Sequence, residues 1–477
     1  MTYDHLIPWT AQEILAATTG ELLCGDRHRQ FAEVSIDSRK ISPSDVFVAI
    51  IGDVHDGHTF LEDVIHQGIY GVVINKKKAK EFPTSDWHNT KVTAIAVEDT
   101  TKALGDLAAF HRNRTAASVV AITGSNGKTT TRKLISAVIA RQFNTLSAIG
   151  NYNNQIGLPL TLLKLQQGHT WAVVELGTNG PGEIARLAEI SSPEIGVITN
   201  IGPAHLEGLG SLEGVMREKG DLLKHIKSNG KAILNADDRR ILKLAEKTDR
   251  EVILFGLSED ATIRAEAVKE KAGGISFILV LPQERVPVEL SISGQFMVPN
   301  ALAAAAVGYV VGLSAEQIKV GLEEFCPAPG RMSFFQMPNG IHIIDDTYNA
   351  NPDSMKAAIL TLKALRANSR SILIAGDMLE LGKQSASMHI HIGKLAATSG
   401  IRKIYVAGEF AEAVAKGAQD SQMNGRDIFT GTKDEILKDL KNYLKSGDWV
   451  LIKGSRGMAM EDIVNGLKEW AGIKPSA

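Results

Sequence analysis

The feature that most constrains this chain is a short apolar strand that runs into a glycine-rich turn and then a helix. Residues 119–122 read Val-Val-Ala-Ile, a run typical of a buried parallel strand. Gly124-Ser-Asn-Gly-Lys-Thr129 follows, and the apolar spacing from Thr129 onward predicts a helix. Gly124 and Gly127 permit a tight turn whose N–H groups converge, and Lys128 adds a cation at the positive end of the helix. The pattern predicts a cradle for the phosphates of a nucleoside triphosphate.

This loop is shorter than the common phosphate-loop pattern, which has about four residues between its two glycines. Here only Ser125 and Asn126 separate the glycines, and Ile122 stands where the first glycine would fall. The alternative is an ordinary tight turn with an exposed lysine. Strand, Gly-x-x-Gly-Lys-Thr and helix occur in the required order, which favours the phosphate site. There the Thr129 hydroxyl would reach a magnesium ion bound to the same phosphates.

Length and composition limit the class of protein. A chain of 477 residues predicts about three domains. The formal net charge of −2 argues against bulk electrostatic affinity for nucleic acid or anionic membranes. The longest apolar run, Ala301–Leu313, is shorter than the roughly 20 residues that span a bilayer. With no signal-peptide pattern and only Cys24 and Cys326, we expect a cytoplasmic protein without a disulfide framework.

Alternating strand and helix patterns predict an α/β fold in three domains. We place a small α/β domain at residues 1–97, a middle domain at 98–315 and a second parallel-sheet domain at 316–477. Residues 265–290 read as short strands and predict an antiparallel side ribbon on the middle domain. His389 and His391 are interpreted as surface residues of a helix rather than as a zinc site.

In the middle domain, two further apolar strands are followed by side chains that could take part in catalysis or metal binding. Glu175 closes the run that begins at Trp171, and His205 follows the run that begins at Ile195. Ligands of open parallel sheets bind beyond the carboxyl ends of the strands. We therefore expect these two side chains to share one rim with Lys128 and Thr129. The alternative is that each is an ordinary hydrogen-bonded structural residue.

Lys219 interrupts the apolar stripe of a predicted helix between Leu212 and Ile226. The helix pattern by itself favours a lysine whose stem lies along the core while its amine reaches water. The other possibility is a desolvated, neutral amine that takes up carbon dioxide as a carbamate, whose oxygens suit magnesium.

Polar residues that could contact substrate occur in several loops. Asn153 and Asn154 lie in an amide-rich loop, and Ser38 and Arg39 follow a strand of the first domain. In the last domain, predicted strands end at Asp346, Asp377 and Lys453, and Arg331 follows the junction at Pro327–Gly330. The same rim rule predicts that the charged strand ends face a ligand.

These motifs resemble the Mur ligases, which build the peptide of bacterial cell-wall precursors. Thr123–Thr130 matches the short ATP loop of that family, and Asn200–Gly208, with Lys219 after it, matches its metal-binding segment. The resemblance spans nearly the whole chain. It implies a central P-loop-type ATPase domain between a small N-terminal α/β domain, which binds the UDP-sugar peptide, and a Rossmann-like C-terminal domain. It also favours the carbamate at Lys219 over the solvent-reaching amine.

Four segments resemble the branch of the family that adds D-alanyl-D-alanine, and the Asp-Asn-Pro-Arg motif of the sister enzymes does not occur. The segments are Gly150–Thr161, Asp346–Ser354, Gly376–Gly382 and Lys453–Met458. The resemblance implies ATP-dependent joining of D-alanyl-D-alanine to UDP-N-acetylmuramoyl-tripeptide through an acyl phosphate, by a monomer. The alternative within the family is a ligase that adds diaminopimelate or lysine to the muramoyl dipeptide.

The resemblance also implies site residues. Catalytic roles fall to Lys128, Glu175, His205 and Lys219. Two magnesium ions, replaceable by manganese, would be held by Thr129 with Glu175 and by His205 with carbamylated Lys219. The implied ATP-binding residues are Gly124, Ser125, Asn126, Gly127, Lys128, Thr129, Thr130, Asn300, Arg331 and Asp346, the last two reaching the nucleotide when the domains close. The implied substrate-binding residues are Ser38, Arg39, Asn153, Asn154, Tyr348, Asn349, Asn351 and Ser354.

One segment departs from the family pattern. Gly294-Gln-Phe-Met-Val-Pro-Asn300 keeps the glycine and the final asparagine but lacks the usual histidine and first asparagine. Two other classes of function stay open from the residues alone. One is a nucleotide-binding module without catalysis, and the other is a dehydrogenase, although no Gly-x-Gly-x-x-Gly follows a strand.

Overall fold

The computed structural model describes residues 7–52, 54–87, 91–148, 150–271, 274–327 and 329–473. Within these ranges the strands form three large sheets, one in each of the three predicted parts of the chain, and a small two-stranded sheet. Each large sheet is mainly parallel and is covered by helices, because runs such as Val46–Val48 and Ile195–Ile198 are apolar on both faces. The predicted α/β fold is confirmed.

The first part is a five-stranded sheet in the order β2-β7-β6-β5-β4, in which only β2 runs antiparallel to its neighbour. Its elements are β1 (Trp9–Thr10), α1 (Ala11–Thr18), β2 (Glu21–Cys24), β3 (Gln30–Phe31), β4 (Val34–Ser35), β5 (Val46–Val48), α2 (Leu61–His66), β6 (Gly71–Asn75), α3 (Thr84–Trp87) and β7 (Thr93–Val97). The small sheet pairs β1 with β3.

The middle part is a nine-stranded sheet flanked by helices on both faces. Its elements are α4 (Thr100–Asn113), β8 (Ser118–Thr123), α5 (Lys128–Ile139), β9 (Thr145–Ser147), α6 (Gly157–Leu162), β10 (Trp171–Glu175), α7 (Glu183–Ser191), β11 (Ile195–Ile198), α8 (Leu206–Leu209), α9 (Leu212–His225), β12 (Lys231–Asn235), α10 (Arg239–Ala245), β13 (Glu251–Gly256), β14 (Ile263–Lys271), β15 (Gly274–Val280), β16 (Arg285–Leu290), α11 (Met297–Val310) and α12 (Ala315–Glu323). The alanine-rich α11 is almost wholly buried.

The strand order of this sheet places the phosphate loop at its centre. The order is β16-β15-β14-β13-β12-β11-β8-β10-β9, and the antiparallel β14–β16 form the predicted side ribbon. Strand β8 lies between β11 and β10, so the chain crosses from one side of β8 to the other. Glu175 of β10 pairs with Ile122, and Ile198 of β11 pairs with Thr123. The carboxyl ends of these three strands therefore meet at the switch point where α/β proteins bind ligands.

The last part is a six-stranded sheet in the order β17-β18-β22-β19-β20-β21, parallel except for β17. Its elements are β17 (Ser333–Gln336), β18 (His342–Asp346), α13 (Pro352–Leu365), β19 (Ser371–Ala375), α14 (Ser385–Thr398), β20 (Lys403–Val406), α15 (Ala411–Asp420), β21 (Ile428–Thr430), α16 (Lys433–Tyr443), β22 (Trp449–Lys453) and α17 (Glu461–Trp470). Helix α12 crosses the predicted boundary at residue 315 and packs on α5 and β16, so the middle core extends to Glu323.

The prediction that His389 is a surface residue is wrong, whereas His391 on the same helix is exposed. His389 is buried because the protein satisfies both ring nitrogens. Its Nδ1 donates to the Ser385 carbonyl over 2.7 Å, and its Nε2 accepts from the Met378 N–H over 2.9 Å. Its ring also stacks on Phe410 at 4.7 Å. These partners come from the β19–α14 segment and from α15, which periodicity within one helix cannot indicate.

Candidate active site

The glycine-rich loop after β8 has the shape of an anion cradle. Gly124 and Gly127 both have positive φ angles, +153° and +78°. A Cβ on Gly124 would lie 1.9 Å from the Thr199 hydroxyl, and one on Gly127 would lie 2.4 Å from the Asn300 side-chain oxygen. Only glycine fits at either position, so the loop backbone stays open toward the cleft. The residues present therefore fit a bound polyphosphate.

Lys128 begins helix α5 and folds back over the loop. Its Nζ donates to the Gly124 carbonyl over 2.7 Å. Burial lowers the pKa of Lys128, while the Glu175 carboxylate raises it and the Arg331 cation lowers it further. The hydrogen bond to Gly124 holds the Lys128 amine beside the N-terminus of α5, where its positive charge would add to that of the helix in attracting an anion.

The end of β11 holds the loop in shape. The Asn200 side chain accepts from the Asn126 N–H over 2.8 Å and donates to the Asn126 carbonyl over 3.0 Å. The Thr199 hydroxyl donates to that carbonyl over 2.7 Å. Ser125 exchanges hydrogen bonds with Gly202 through its hydroxyl, at 3.0 and 2.9 Å. The loop is therefore preorganised by the neighbouring strand.

Glu175 lies at the carboxyl end of β10 and is only 3% exposed. One of its oxygens accepts from the Thr129 hydroxyl over 2.8 Å, and the other accepts from the Asn153 amide over 2.9 Å. The buried guanidinium of Arg132 lies 3.8 Å away. The structure thus joins Thr129 and Glu175 as predicted and adds Arg132, which the sequence reasoning missed.

Arg132 also fixes the amide-rich loop. Its guanidinium donates to the Ser147 hydroxyl over 3.2 Å and to the Gly150 carbonyl over 3.1 Å. Asn154, predicted as a substrate contact, lies just before helix α6, where its side-chain oxygen accepts from Ile156 N–H and Gly157 N–H at 3.2 and 2.8 Å. Asn154 is also part of the cleft wall.

Lys219 is 1% exposed, and its Nζ has no hydrogen-bond partner among the described residues. Burial lowers the pKa of this amine well below its usual range, the Lys128 cation lowers it further, and the Glu218 and Glu175 carboxylates oppose the shift. The structure therefore contradicts the lysine whose amine reaches water. Glu218 is occupied instead with helix α7, where it accepts from the Gly182 and Ile184 N–H groups at 2.7 and 2.8 Å.

His205 lines the cleft and meets the last domain. Its Nδ1 lies 2.5 Å from an oxygen of Glu380, a residue that sequence reasoning did not assign. The hydrogen bond from His205 lowers the pKa of Glu380. The sequence signal for Glu380 was its place within Gly376–Gly382.

The C-terminal domain presents its charged strand ends to the same cleft. The Arg331 guanidinium lies 3.7 Å from the ring centre of Tyr348. Lys453 donates to Asp346 over 2.5 Å and to the Asn349 carbonyl over 2.8 Å. Asp377 is the exception to the predicted rim, because it is buried and accepts from the N–H groups of the β20–α15 turn.

Asn351 joins the last domain to the phosphate loop. Its side-chain oxygen caps α13 by accepting from the Ser354 N–H over 2.9 Å, and the Ser354 hydroxyl accepts from the Asn351 N–H over 3.0 Å. The Asn351 amide nitrogen then donates to the Asn126 side-chain oxygen over 2.8 Å. One asparagine therefore both starts a helix and contacts the loop of another domain.

A cleft of about 970 Å³ is lined by the phosphate loop, Glu175 and His205, whereas Lys219 and Arg132 do not line it. Its wall includes Ile51 and Gly52 from the first domain together with the loop, Asn300 and the C-terminal residues above. The Asn300 side-chain oxygen accepts from the Thr131 hydroxyl over 3.2 Å, so that oxygen braces α5. Ser38 and Arg39 do not line the cleft; Arg39 is exposed and paired with Asp37 at 2.8 Å.

The described residues hold no group of three or more histidine, cysteine or acidic side chains arranged to bind a metal ion. A metal here would need oxygens from a nucleotide or a modified side chain, which suits the Thr129–Glu175 pair and the orphaned Lys219 amine. No helix in the same ranges is long and apolar enough to cross a membrane.

Comparison with known proteins agrees with this geometry. Residues 30–112, 122–308 and 330–456 match the Mur ligase family catalytic domain, the Mur ligase middle domain and the Mur ligase glutamate ligase domain. The chain is 34% identical to the UDP-N-acetylmuramoyl-tripeptide–D-alanyl-D-alanine ligase of Escherichia coli (strain K12), over 97% of this chain and 99% of the relative. The chain is 32% identical to the enzyme of the same name from Bacillus subtilis (strain 168), over 91% of this chain and 93% of the relative.

Solved structures give the same result. A crystal structure of MurF from Acinetobacter baumannii superposes with a TM-score of 0.89 at 33% identity, covering 97% of this chain and 99% of that one. MurF ligase from Thermotoga maritima, in complex with ADP, gives 0.82 at 27% identity, covering 92% and 98%. Three family domains in order, near-complete relatives and a matching architecture show that this chain belongs to the Mur ligase family.

Proposed function

We propose that this protein joins D-alanyl-D-alanine to the terminal carboxylate of UDP-N-acetylmuramoyl-tripeptide, with ATP converted to ADP and phosphate. The main observation in support of this proposal is one cleft lined by the phosphate loop, Glu175, His205 and charged strand ends of the last domain. Near-complete relatives named for this reaction support the choice of substrates. We take the enzyme to act as a cytoplasmic monomer, since one chain supplies every residue that the proposal uses.

ATP is proposed to bind with its phosphates in the cradle of Gly124–Thr130. The loop N–H groups, the start of α5 and Lys128 would hold the β- and γ-phosphates. Asn300 lies at the cleft wall and could present its amide nitrogen toward the adenine. Arg331 and Asp346 lie on the opposite wall, where Arg331 is close enough to the loop to lower the pKa of Lys128.

Two divalent cations are proposed, magnesium or manganese. Thr129 and Glu175 would hold one, and His205 with carbamylated Lys219 would hold the other. Bound there, the cations would neutralise negative charge on the transferring phosphoryl group. Lys219 suits the modification because its amine is buried, unpartnered and of lowered pKa. The neutral amine would form a bond to the carbon of CO₂ and release one proton, which leaves a carbamate anion.

The reaction then has two bond exchanges. A carboxylate oxygen of the tripeptide bonds to the γ-phosphorus while the bond to the bridging oxygen breaks, and ADP leaves. The amine of D-alanyl-D-alanine next bonds to the acyl carbon; the amine loses a proton, and inorganic phosphate departs as the carbon–oxygen bond breaks. The protein contributes position and charge, the main needs of phosphoryl transfer. Contact between the middle and last domains would keep water from the acyl phosphate.

The substrates are proposed to lie on the remaining walls of the cleft. The first domain would bind the UDP-sugar part, with Ser38 and Arg39 contacting it outside the central cleft. Asn153 and Asn154 would face the peptide from the middle domain. The last domain would contribute Tyr348, Asn349, Asn351 and Ser354 to the same peptide site. The Tyr348 ring also packs against the Arg331 guanidinium.

The test is a ligation assay with a panel of substrates. The purified chain is incubated with ATP, MgCl₂ and UDP-N-acetylmuramoyl-tripeptides ending in diaminopimelate or lysine, with and without D-alanyl-D-alanine. We expect phosphate release that needs both substrates and a pentapeptide product by mass. Preference for a muramoyl dipeptide with diaminopimelate or lysine as the amine would support the sister ligases instead. Nucleotide binding without phosphate release would support a non-catalytic module.

A further inference from the structure

A short contact between two domains involves one of the proposed metal ligands. His205 belongs to the middle domain and Glu380 to the last, and their side chains meet at 2.5 Å. A backbone bond adjoins this contact, since the Glu207 N–H donates to the Glu380 carbonyl over 3.2 Å. The side-chain pair is therefore part of a defined docking point between the two domains.

The segment that carries Glu380 is held rigidly. The Met378 N–H donates to the buried His389 over 2.9 Å, and the Leu379 N–H donates to the Ser455 hydroxyl over 2.9 Å. Leu381, on the other side of Glu380, is 2% exposed. With neighbours fixed on both sides, the backbone at Glu380 is held in place, and its half-exposed side chain reaches His205 from there.

Both partners have a backbone conformation that non-glycine residues seldom adopt. The φ angle is +54° at His205 and +62° at Glu380. Left-handed backbone at such residues costs roughly 1 kcal/mol or more and persists where the surroundings demand it. At both residues this backbone conformation occurs together with the contact between the imidazole and the carboxylate.

The geometry of the pair fixes which ring nitrogen faces the carboxylate. An ionised carboxylate only accepts hydrogen bonds, so Nδ1 is the nitrogen that donates to Glu380. Nε2 is therefore the nitrogen left to bind a metal ion when the ring is neutral. Histidine ligands in metal sites commonly donate their other N–H to a carboxylate in this way.

We propose that Glu380 is a positioning residue that orients His205 for the metal ion and links metal binding to contact between the middle and last domains. The inference rests on the proposed role of His205 as a metal ligand. Because Glu380 comes from the other domain, separation of the domains would remove the acceptor from Nδ1. Metal affinity and domain contact would then favour each other reciprocally.

The test measures the metal directly and needs no turnover. The full-length chain in bicarbonate buffer is titrated with Mn²⁺ alone, free Mn²⁺ is followed by EPR, and pulsed EPR records nitrogen coupling to bound Mn²⁺. We expect Glu380→Ala to weaken the site with nitrogen coupling by about 10- to 100-fold. Glu380→Gln keeps an acceptor oxygen without the charge and should fall between Glu380→Ala and wild type.

Matched variants separate positioning from folding. Glu469→Gln changes an exposed carboxylate on α17 and should bind Mn²⁺ like wild type. Glu469→Gln should unfold at the wild-type temperature, and the variants at Glu380 and His205 should lose no more stability than one interdomain hydrogen bond provides. Because Glu380 acts through His205, the double variant His205→Asn/Glu380→Ala should bind no more weakly than His205→Asn.

Two results would overturn the inference. Equal Mn²⁺ affinity and equal nitrogen coupling in wild type and Glu380→Ala would show that the carboxylate does not position His205. A wild-type spectrum without nitrogen coupling would remove His205 as a ligand and the inference with it. The ligation assay with its two substrates would still decide the proposed reaction by itself.

Discussion

Replacing Lys219 with methionine should make the protein more stable and inactive. The lysine amine is buried and has no hydrogen-bond partner among the described residues. Methionine has a similar length and removes the desolvated polar group while keeping the stem that packs in α9. A buried polar group without a partner costs about 1–3 kcal/mol. At about 2–4 °C per kcal/mol for a domain of this size, Lys219→Met should raise the unfolding temperature by about 2–12 °C.

The pH dependence of this gain follows from the lowered pKa of Lys219. Between its folded pKa and the ordinary lysine value, the unfolded chain binds the proton and the folded chain does not. The free energy of unfolding of wild type therefore rises with pH through that window. The stability gain of Lys219→Met should be largest toward the acidic end of the window and shrink as the pH approaches the ordinary lysine value.

The assay is calorimetry in CO₂-depleted buffer over a pH series, with Lys224→Met as the control, because Lys224 is an exposed lysine on the same helix. Bicarbonate should stabilise wild type through the carbamate and leave Lys219→Met unchanged. Ligation by Lys219→Met should fall by roughly 100-fold or more, as for loss of a preorganised charge. A lower unfolding temperature for Lys219→Met without CO₂, or retained ligation, would refute the reasoning.

Three further predictions concern the cleft. Gly124→Ala should abolish ADP binding in calorimetric titration, because its Cβ would lie 1.9 Å from the Thr199 hydroxyl, and wild-type affinity would count against the cradle. Asn351→Asp should keep the α13 cap but lower kcat, because it loses the donor to Asn126. Asn351→Ala should lose about 1 kcal/mol more stability than Asn351→Asp, because it also loses the cap. Equal kcat in Asn351→Asp and wild type would contradict this. Glu175→Gln should unfold below wild type, because an amide oxygen can accept from only one of Thr129 and Asn153 and no longer balances the Arg132 charge, and it should release phosphate roughly 100-fold more slowly in the ligation assay.

The convergence of the site could be predicted because it follows from sheet topology. The apolar strands and the turn after β8 are local patterns, and the rule for parallel sheets then brings Glu175 and the loop to one rim. The Thr129–Glu175 bond at 2.8 Å is a consequence of that order. The buried amine of Lys219 did not follow from the helix pattern, which favoured an amine that reaches water; only the resemblance to the family favoured the modified lysine.

What could not be predicted depends on partners that are distant in sequence or on a second domain. Glu380 meets His205 across 175 positions, and Asn351 meets Asn126 across 225. Arg132 looked like an ordinary residue of α5 because its targets, Ser147 at the end of β9 and Gly150 in the loop after it, are brought to it only by the tertiary fold. Periodicity indicates which face of a helix or strand is buried. It does not indicate which polar group of another segment will be the hydrogen-bond partner of a side chain on that face.

The contacts between the middle and last domains are weak enough for a bound ligand to control whether the domains stay together. Two side-chain hydrogen bonds, His205–Glu380 and Asn126–Asn351, join the middle and last domains beside the phosphate loop. Each is worth about 0.5–3 kcal/mol, and a few partly buried apolar side chains such as Phe296 pack against both cores. A total of a few kcal/mol leaves the separated arrangement at roughly 0.1–10% of molecules. A nucleotide that touches both Lys128 and Arg331 can shift such a balance, so the cleft would be driest when the acyl phosphate forms.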